Sequence, residues 1–271
     1  MNLLTMALGL SVVTPLFGQS PFPPPGRMVD LGGHQLHVWC TGKGSPTVVV
    51  ENGLGDFSFD WILVQQRVQS FTRICAYDRA GYAWSDPGPN PRTYAQLNLE
   101  LHDALTKLGE QRPLILVGHS FGGGVVRNYA AQYPSEVAGV VLVDIVHEDQ
   151  RIPMGPRAAR IRDFATGRPI PKPREELPAS DAVSVSVNAQ AIHAVEPPYT
   201  RLPEREQRLH QWAAALPPLA IAENSQKDWS AESMADFHSK SQAGILGNIP
   251  LVVLTRANGG YADNLDVRAS D

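Results

Sequence analysis

PLILVGHSFGGGVVRNYAAQY, residues 113–133, is the stretch that decides the fold. Its first six residues are an unbroken apolar run of the kind found in strands buried on both faces of a parallel sheet. Its second half carries Val125, Val126, Tyr129, Ala130 and Tyr133 on one helical face, and Pro134 stops the helix. Between them lie Gly118, His119, Ser120, Phe121 and Gly122, backed by Gly123 and Gly124. A strand therefore turns sharply into a helix, with Ser120 at the corner. The glycines permit the turn because they carry no Cβ to clash. The turn lifts the Ser120 hydroxyl above the sheet edge, and the helix N-terminus puts a positive partial charge beside it. G-x-S-x-G in this strand–turn–helix context marks Ser120 as a candidate nucleophile.

The same alternation extends outward from this stretch. Residues 28–31 and 35–40 read as two short strands around Gly32-Gly33. PTVVVE (46–51), RICAY (73–77) and VAGVVLV (137–143) read as further buried strands. Asp60 is placed to cap a helix with Trp61, Val64 and Val68 on one face. Thr93 and Gln96 form a capping box ahead of an apolar stripe of Leu97, Leu101, Ala104, Leu105 and Leu108, which Gly109 ends. This order implies an α/β fold, a mostly parallel sheet flanked by helices and joined by right-handed crossovers. From 147 to 246 the character changes. Pro, Arg and Glu cluster over 151–177, no strand core is visible, and helices are expected near 204–216 and 231–243. The segment reads as a helical lid inserted over one end of the sheet. IPLVVLT (249–255) returns to strand character, so the core is expected to comprise 28–146 and 247–271.

Bulk properties narrow the function classes. The chain has 271 residues, 43% of them hydrophobic and 18% charged, with a net charge of −4. That supports a sizeable buried core and gives no electrostatic case for nucleic acid or anionic lipid as a partner. Residues 3–18 are apolar and uncharged, short for a membrane span and suited to the core of an export signal or to an uncleaved N-terminal anchor. SPFPPPG (20–26) then reads as an extended linker. The expectation is an exported chain with a signal over 1–20 and a linker over 21–27. No G-x-G-x-x-G, phosphate-binding loop or metal-ligand spacing is present, so neither a cofactor nor a metal is expected.

Acyl transfer from Ser120 needs two N–H donors aimed at the carbonyl oxygen. One is expected from Phe121, just past the nucleophile. The other is expected from Leu54, in the glycine-rich loop Glu51-Asn52-Gly53-Leu54-Gly55-Asp56. GHSFGG, ENGLGD, YDRAGYAWSD (77–86) and VVLVDIVHEDQ (140–150) together resemble the α/β-hydrolase superfamily, in its bacterial serine-hydrolase branch. The likeness covers residues 27–150 and, more weakly, 249–255. The family's oxyanion loop usually begins His-Gly, where this sequence has Asn52-Gly53; the donors are backbone groups, so the hole is expected to survive. Ser rather than Asp as nucleophile argues against the epoxide hydrolases and dehalogenases of the superfamily. It favours hydrolysis of a small ester, thioester, lactone or amide through an acyl-enzyme.

The resemblance also implies an acid after the strand that follows the nucleophile helix, or after the next strand. Asp144 fits the first place; Asp263 and then Glu148 are the alternatives. It implies a histidine after the last strand, and no histidine follows His238. His34 and His37 are near the N-terminus, His119 is expected to pack beneath the nucleophile, and His102 is expected to be solvated. His147, His193, His210 and His238 lie in or beside the lid. The family's last strand and helix are likewise not found after 255. The sequence thus reads as a C-terminally truncated serine hydrolase, or as a non-catalytic ligand-binding relative. Cys40 and Cys75 fall on the second and fourth strands, which are neighbours in this fold. A cross-strand disulfide is therefore geometrically possible, with two buried thiols as the other reading.

Overall fold

A computed structural model describes residues 20–154, 157–174, 195–241, 244 and 246–256. The expected signal up to residue 19, His193 and Asp263 lie outside the described residues. The chain opens with an antiparallel pair, β1 (Arg27–Asp30) and β2 (Gln35–Thr41), followed by β3 (Val48–Glu51), which is buried throughout. α1 (Ile62–Val68), β4 (Ile74–Tyr77), α2 (Tyr94–Leu108), β5 (Leu114–His119), α3 (Gly122–Gln132) and β6 (Val137–Val143) come next. Residues 147–246 contribute the short pair β7 (Arg151–Met154) and β8 (Arg157–Arg160), then α4 (Glu204–Ala214) and α5 (Pro217–Ser241); β9 (Leu251–Leu254) follows.

The main sheet runs β1-β2-β4-β3-β5-β6-β9. β1, β2 and β4 pair antiparallel, and every pairing from β4 to β9 is parallel, as the α/β reading requires. One face packs Val49, Leu114, Leu116 and Val140 against Leu101, Ala104 and Leu105 of α2 and Val126, Tyr129 and Ala130 of α3. The other face sets Val48, Val50, Ile74 and Ala76 under Trp61 and Val68. α2 starts where Thr93 Oγ1 accepts the Gln96 N–H at 3.2 Å, and it ends at Gly109 with φ +73°. The expected box closes only halfway, because the Gln96 amide donates to Glu100 instead.

Two local expectations fail for identifiable reasons. A 3-10 turn (Ser58–Trp61) precedes α1, and Trp61 belongs to it rather than to α1, though Trp61 and Val68 pack on the sheet as expected. Val64 is exposed, Ile62 and Gln65 are buried, and Asp60 accepts the Phe57 N–H rather than capping α1. The 147–246 segment does contain strands: β7 pairs antiparallel with β8. Pro153 argues against a strand in most sheets, but a two-stranded ribbon is all edge and tolerates it.

α5 crosses the C-terminal ends of the parallel strands. Tyr82 donates to Gln226 at 3.0 Å, Met234 packs with Phe121, and the Arg127 guanidinium lies 4.2 Å from the Phe237 ring centre. No described helix is long and apolar enough to cross a membrane. All four side chains of β9 are about half exposed.

The β2–β4 register sets Cys40 directly opposite Cys75, and the two are bonded, so the reading as two thiols falls. Titration in denaturant should find no free thiol before reduction and two after it. The bridge spans a sequence separation of 35 residues, and closing a loop of that size raises the free energy of the unfolded chain by about 4 kcal/mol through lost entropy. Cys75→Ser should therefore lower unfolding stability by about 2–4 kcal/mol in urea melts.

Candidate active site

Strand register brings the chemistry to one edge. Glu51 at the end of β3 lies opposite Gly118 of β5, and His119 lies opposite Val143 of β6. The loops after β3, β5 and β6 therefore leave the sheet together, at the carboxyl ends where open α/β sheets hold ligands. Ser120 occupies the left-handed region at φ +49°, a sparsely populated conformation for a residue with a Cβ. Its N–H donates to Val143 O at 3.2 Å, and its carbonyl accepts from Gly123 and Val146, both at 3.1 Å. A Cβ on Gly122 would lie 2.4 Å from Glu51 O, and one on Gly118 would lie 2.6 Å from Val126 Cγ2. The first turn of α3 is thus seated on the end of β3.

The two expected amide carriers meet. Phe121 is buried, and Leu54 packs against the same cluster of Tyr94, Leu97, Val125 and Met234. A buried network holds the loop that carries Leu54. Arg79 Nη1 donates to Glu51 Oε1 and Asn52 O, both at 2.7 Å, and Nη2 donates to Gly53 O at 2.7 Å. The Tyr77 hydroxyl donates to Glu51, and Asn52 Nδ2 donates to Tyr77 O at 2.7 Å. Burial raises the Glu51 carboxyl above its ordinary range, against the pull of Arg79 and Tyr77.

A second network surrounds Asp56. Its Oδ2 lies 2.8 Å from His119 Nδ1, and its Oδ1 accepts the Tyr199 hydroxyl at 2.5 Å. Burial alone would raise the Asp56 carboxyl, but the bonds from His119 and Tyr199 prevail and hold it below the usual range. Tyr199 stacks on His210, whose Nδ1 lies 3.0 Å from Asp60 Oδ1. His119 was expected beneath the nucleophile. It turns instead to Asp56 and leaves 35% of its side chain exposed.

Asp144 follows β6 at φ +44°, donates its N–H to Leu254 O at 2.7 Å, and pairs through Oδ2 with Arg256 Nε at 2.6 Å. A cavity of about 520 Å³ opens beside it, walled by Arg127, Ile145, His147, Leu251 and Val253 among others. Glu148, the lesser candidate, is committed to a bidentate pair with Arg127 at 2.7 and 2.9 Å. His102 is not simply solvated: it stacks on Tyr133 and bonds Glu136 at 3.2 Å. His37 is fully buried against Asp78 at 2.7 Å, His34 lies 3.7 Å from Glu100, His147 accepts the Asp149 N–H at 3.1 Å, and His238 lies 3.5 Å from Asp149. No described histidine is hydrogen-bonded to Ser120. Arg79, Asp56 and Tyr199 belong to the site although sequence pattern alone points to none of them. The acids at both ends of Glu51–Asp56 were the available signal.

The sequence model of the alpha/beta hydrolase fold family matches residues 46–266. Among curated proteins the chain is 32% identical over 129 residues to a "Probable transporter efuK" of Hormonema carpetanum, covering 45% of this chain and 18% of that protein. It is 29% identical over 122 residues to the "Uncharacterized protein YbdG" of Bacillus subtilis, covering 44% and 38% respectively. The chain spans less than half the length of these relatives. Among solved structures, a "putative epoxide hydrolase" from Pseudomonas aeruginosa aligns with a TM-score of 0.59 at 17% identity, over 87% of this chain and 80% of that one. That likeness speaks for the fold.

Burial pushes the Asp60 carboxyl up to about 6, against the pull of its bond to His210. A carboxyl that keeps its proton longer folded than unfolded costs stability as pH rises. The loss begins near pH 4, where the unfolded chain releases the proton, and is complete just above pH 6. The wild-type chain should lose on the order of 3 kcal/mol relative to Asp60→Asn across that window. Urea melts of both proteins at pH 4 and pH 7 check it; a constant difference would show that Asp60 is not the titrating group.

Proposed function

The chain belongs to the alpha/beta hydrolase fold family, and from that premise we propose that it is a serine hydrolase acting on a small ester, thioester, lactone or amide. The observation that carries the reading is Ser120 at φ +49°, raised between β5 and α3 beside the Leu54 loop. Ser120 Oγ attacks the substrate carbonyl carbon. The negative charge that develops on the carbonyl oxygen is taken by the Leu54 and Phe121 N–H groups and favoured by the N-terminus of α3. The Ser120 hydroxyl proton passes to the leaving group as its bond to the carbonyl carbon breaks, and water then adds to the ester carbonyl and releases the acid, returning a proton to Ser120. The acid of the set is Asp144. Residues 147–246 act as the lid, since α5 lies across the strand ends. The Cys40–Cys75 bridge supports an oxidising compartment, in line with an exported chain.

A second reading, a ligand-binding protein on the same fold, draws support from the Asp144–Arg256 pair, which engages the carboxylate that would orient a base. One experiment separates the two. Hydrolysis of p-nitrophenyl acetate and butyrate, with fluorophosphonate labelling of Ser120, should be seen with the wild-type chain and fall about 10⁴-fold or more in Ser120→Ala. Equal rates in the two proteins, or no labelling of Ser120, would leave the binding reading standing.

A further inference from the structure

We propose that Arg79 is a positioning residue for the oxyanion-binding amides, one guanidinium that sets the direction of the Leu54 N–H and braces Phe121. The inference rests on the serine-hydrolase reading above. Arg79 sits just past β4 and is 1% exposed. It reaches three acceptors on the opposite loop: Glu51 Oε1, Asn52 O and Gly53 O, each at 2.7 Å. Two successive backbone carbonyls therefore point at one cation.

The consequence follows from peptide geometry. The cis peptide bonds among the described residues all precede proline, so the Gly53–Leu54 bond is trans. In a trans peptide the C=O and the following N–H point in opposite directions. Holding Gly53 O toward Arg79 turns the Leu54 N–H away from it, and holding Asn52 O does the same for the Gly53 N–H. The guanidinium carbon also lies 4.5 Å from the Tyr82 ring centre and 5.4 Å from that of Phe121. One side chain thus holds the peptide that carries the Leu54 N–H and faces the Phe121 ring.

A role confined to balancing the Glu51 charge would need only the contact to Oε1. The two carbonyl bonds go beyond it, and they use the planar fork that distinguishes arginine from lysine.

Two variants test this. Arg79→Lys keeps the charge opposite Glu51. Arg79→Met combined with Glu51→Gln removes both charges, so neither is left buried alone. Three quantities are read: kcat per fluorophosphonate-labelled Ser120, KM, and the ¹⁵N order parameter of the Leu54 amide. Counting only labelled sites removes unfolded molecules from the rate. The expected result is a fall in kcat per site of about 100-fold or more in the double variant, as for a lost oxyanion donor, with KM little changed. Arg79→Lys should fall in between. Together with this, the Leu54 order parameter should drop from the rigid range near 0.85 toward about 0.6. An unchanged kcat per site, or a Leu54 amide that stays rigid in both variants, overturns the proposal. A wild-type chain that neither labels nor turns over sinks the serine-hydrolase reading instead; the order parameter then still decides whether Arg79 holds the loop.

Discussion

The first turn of α3 rests on the carbonyl end of β3, and the site is built around that backbone contact. A Cβ at residue 122 would come within 2.4 Å of Glu51 O and 2.7 Å of Asn52 O, so only glycine fits there. The close approach fixes the height of the helix above the sheet, and with it the corner that the chain must turn at Ser120. Left-handed backbone at a residue with a side chain costs about 1–3 kcal/mol. The corner persists because both of its backbone groups are engaged: the N–H by Val143, the carbonyl by Gly123 and Val146. The strain is carried by the β5–β6 ladder and the start of α3 together.

The contact leaves a polar seam beneath it, which is filled by charge rather than by hydrocarbon. Taking an ion pair such as Glu51–Arg79 out of water costs several kcal/mol per ion, and apolar residues of the same volume would often be at least as stable. Their retention is therefore weak grounds for a stability role. What the pair supplies is direction. Glu51 takes Arg79 on one oxygen and Tyr77 on the other, and Arg79 also donates to two successive main-chain carbonyls.

Much of this frame was legible in the sequence because it depends on short-range patterns. Buried parallel strands announce themselves as apolar runs, and glycines at 118 and 122–124 mark where a helix must approach closely. The place of Val64 on α1 was not legible, since the polar Gln65 rather than Val64 joins Trp61 and Val68 on the inner face. The β7–β8 pair was hidden by Pro153. Arg79 was hidden for a different reason: its acceptors are carbonyls at 52 and 53, and main-chain atoms leave no trace in residue identity. Asp56 and His119 are separated by 63 positions, so only the β3–β5 register brings them within 2.8 Å. The bridge between Cys40 and Cys75 was one of two readings until that same kind of information, the β2–β4 register, set them opposite each other.

The 147–246 segment is joined to the core at the loop that carries Leu54. Tyr199 bonds Asp56, two residues past Leu54, and His210 bonds Asp60 in the turn that follows. A Cβ on Gly55 would lie 2.9 Å from Glu223 Oε1, so α5 presses on the same loop from above. Met234 closes against Leu54 and Phe121. Loop 51–56 is therefore gripped from below by Arg79 and from above by this segment. Moving Tyr199 or α4 away breaks the bonds to Asp56 or Asp60, whereas the grip of Arg79 lies wholly within the core. The two grips on the loop thus differ in kind: the lower belongs to the core, and the upper to the 147–246 segment.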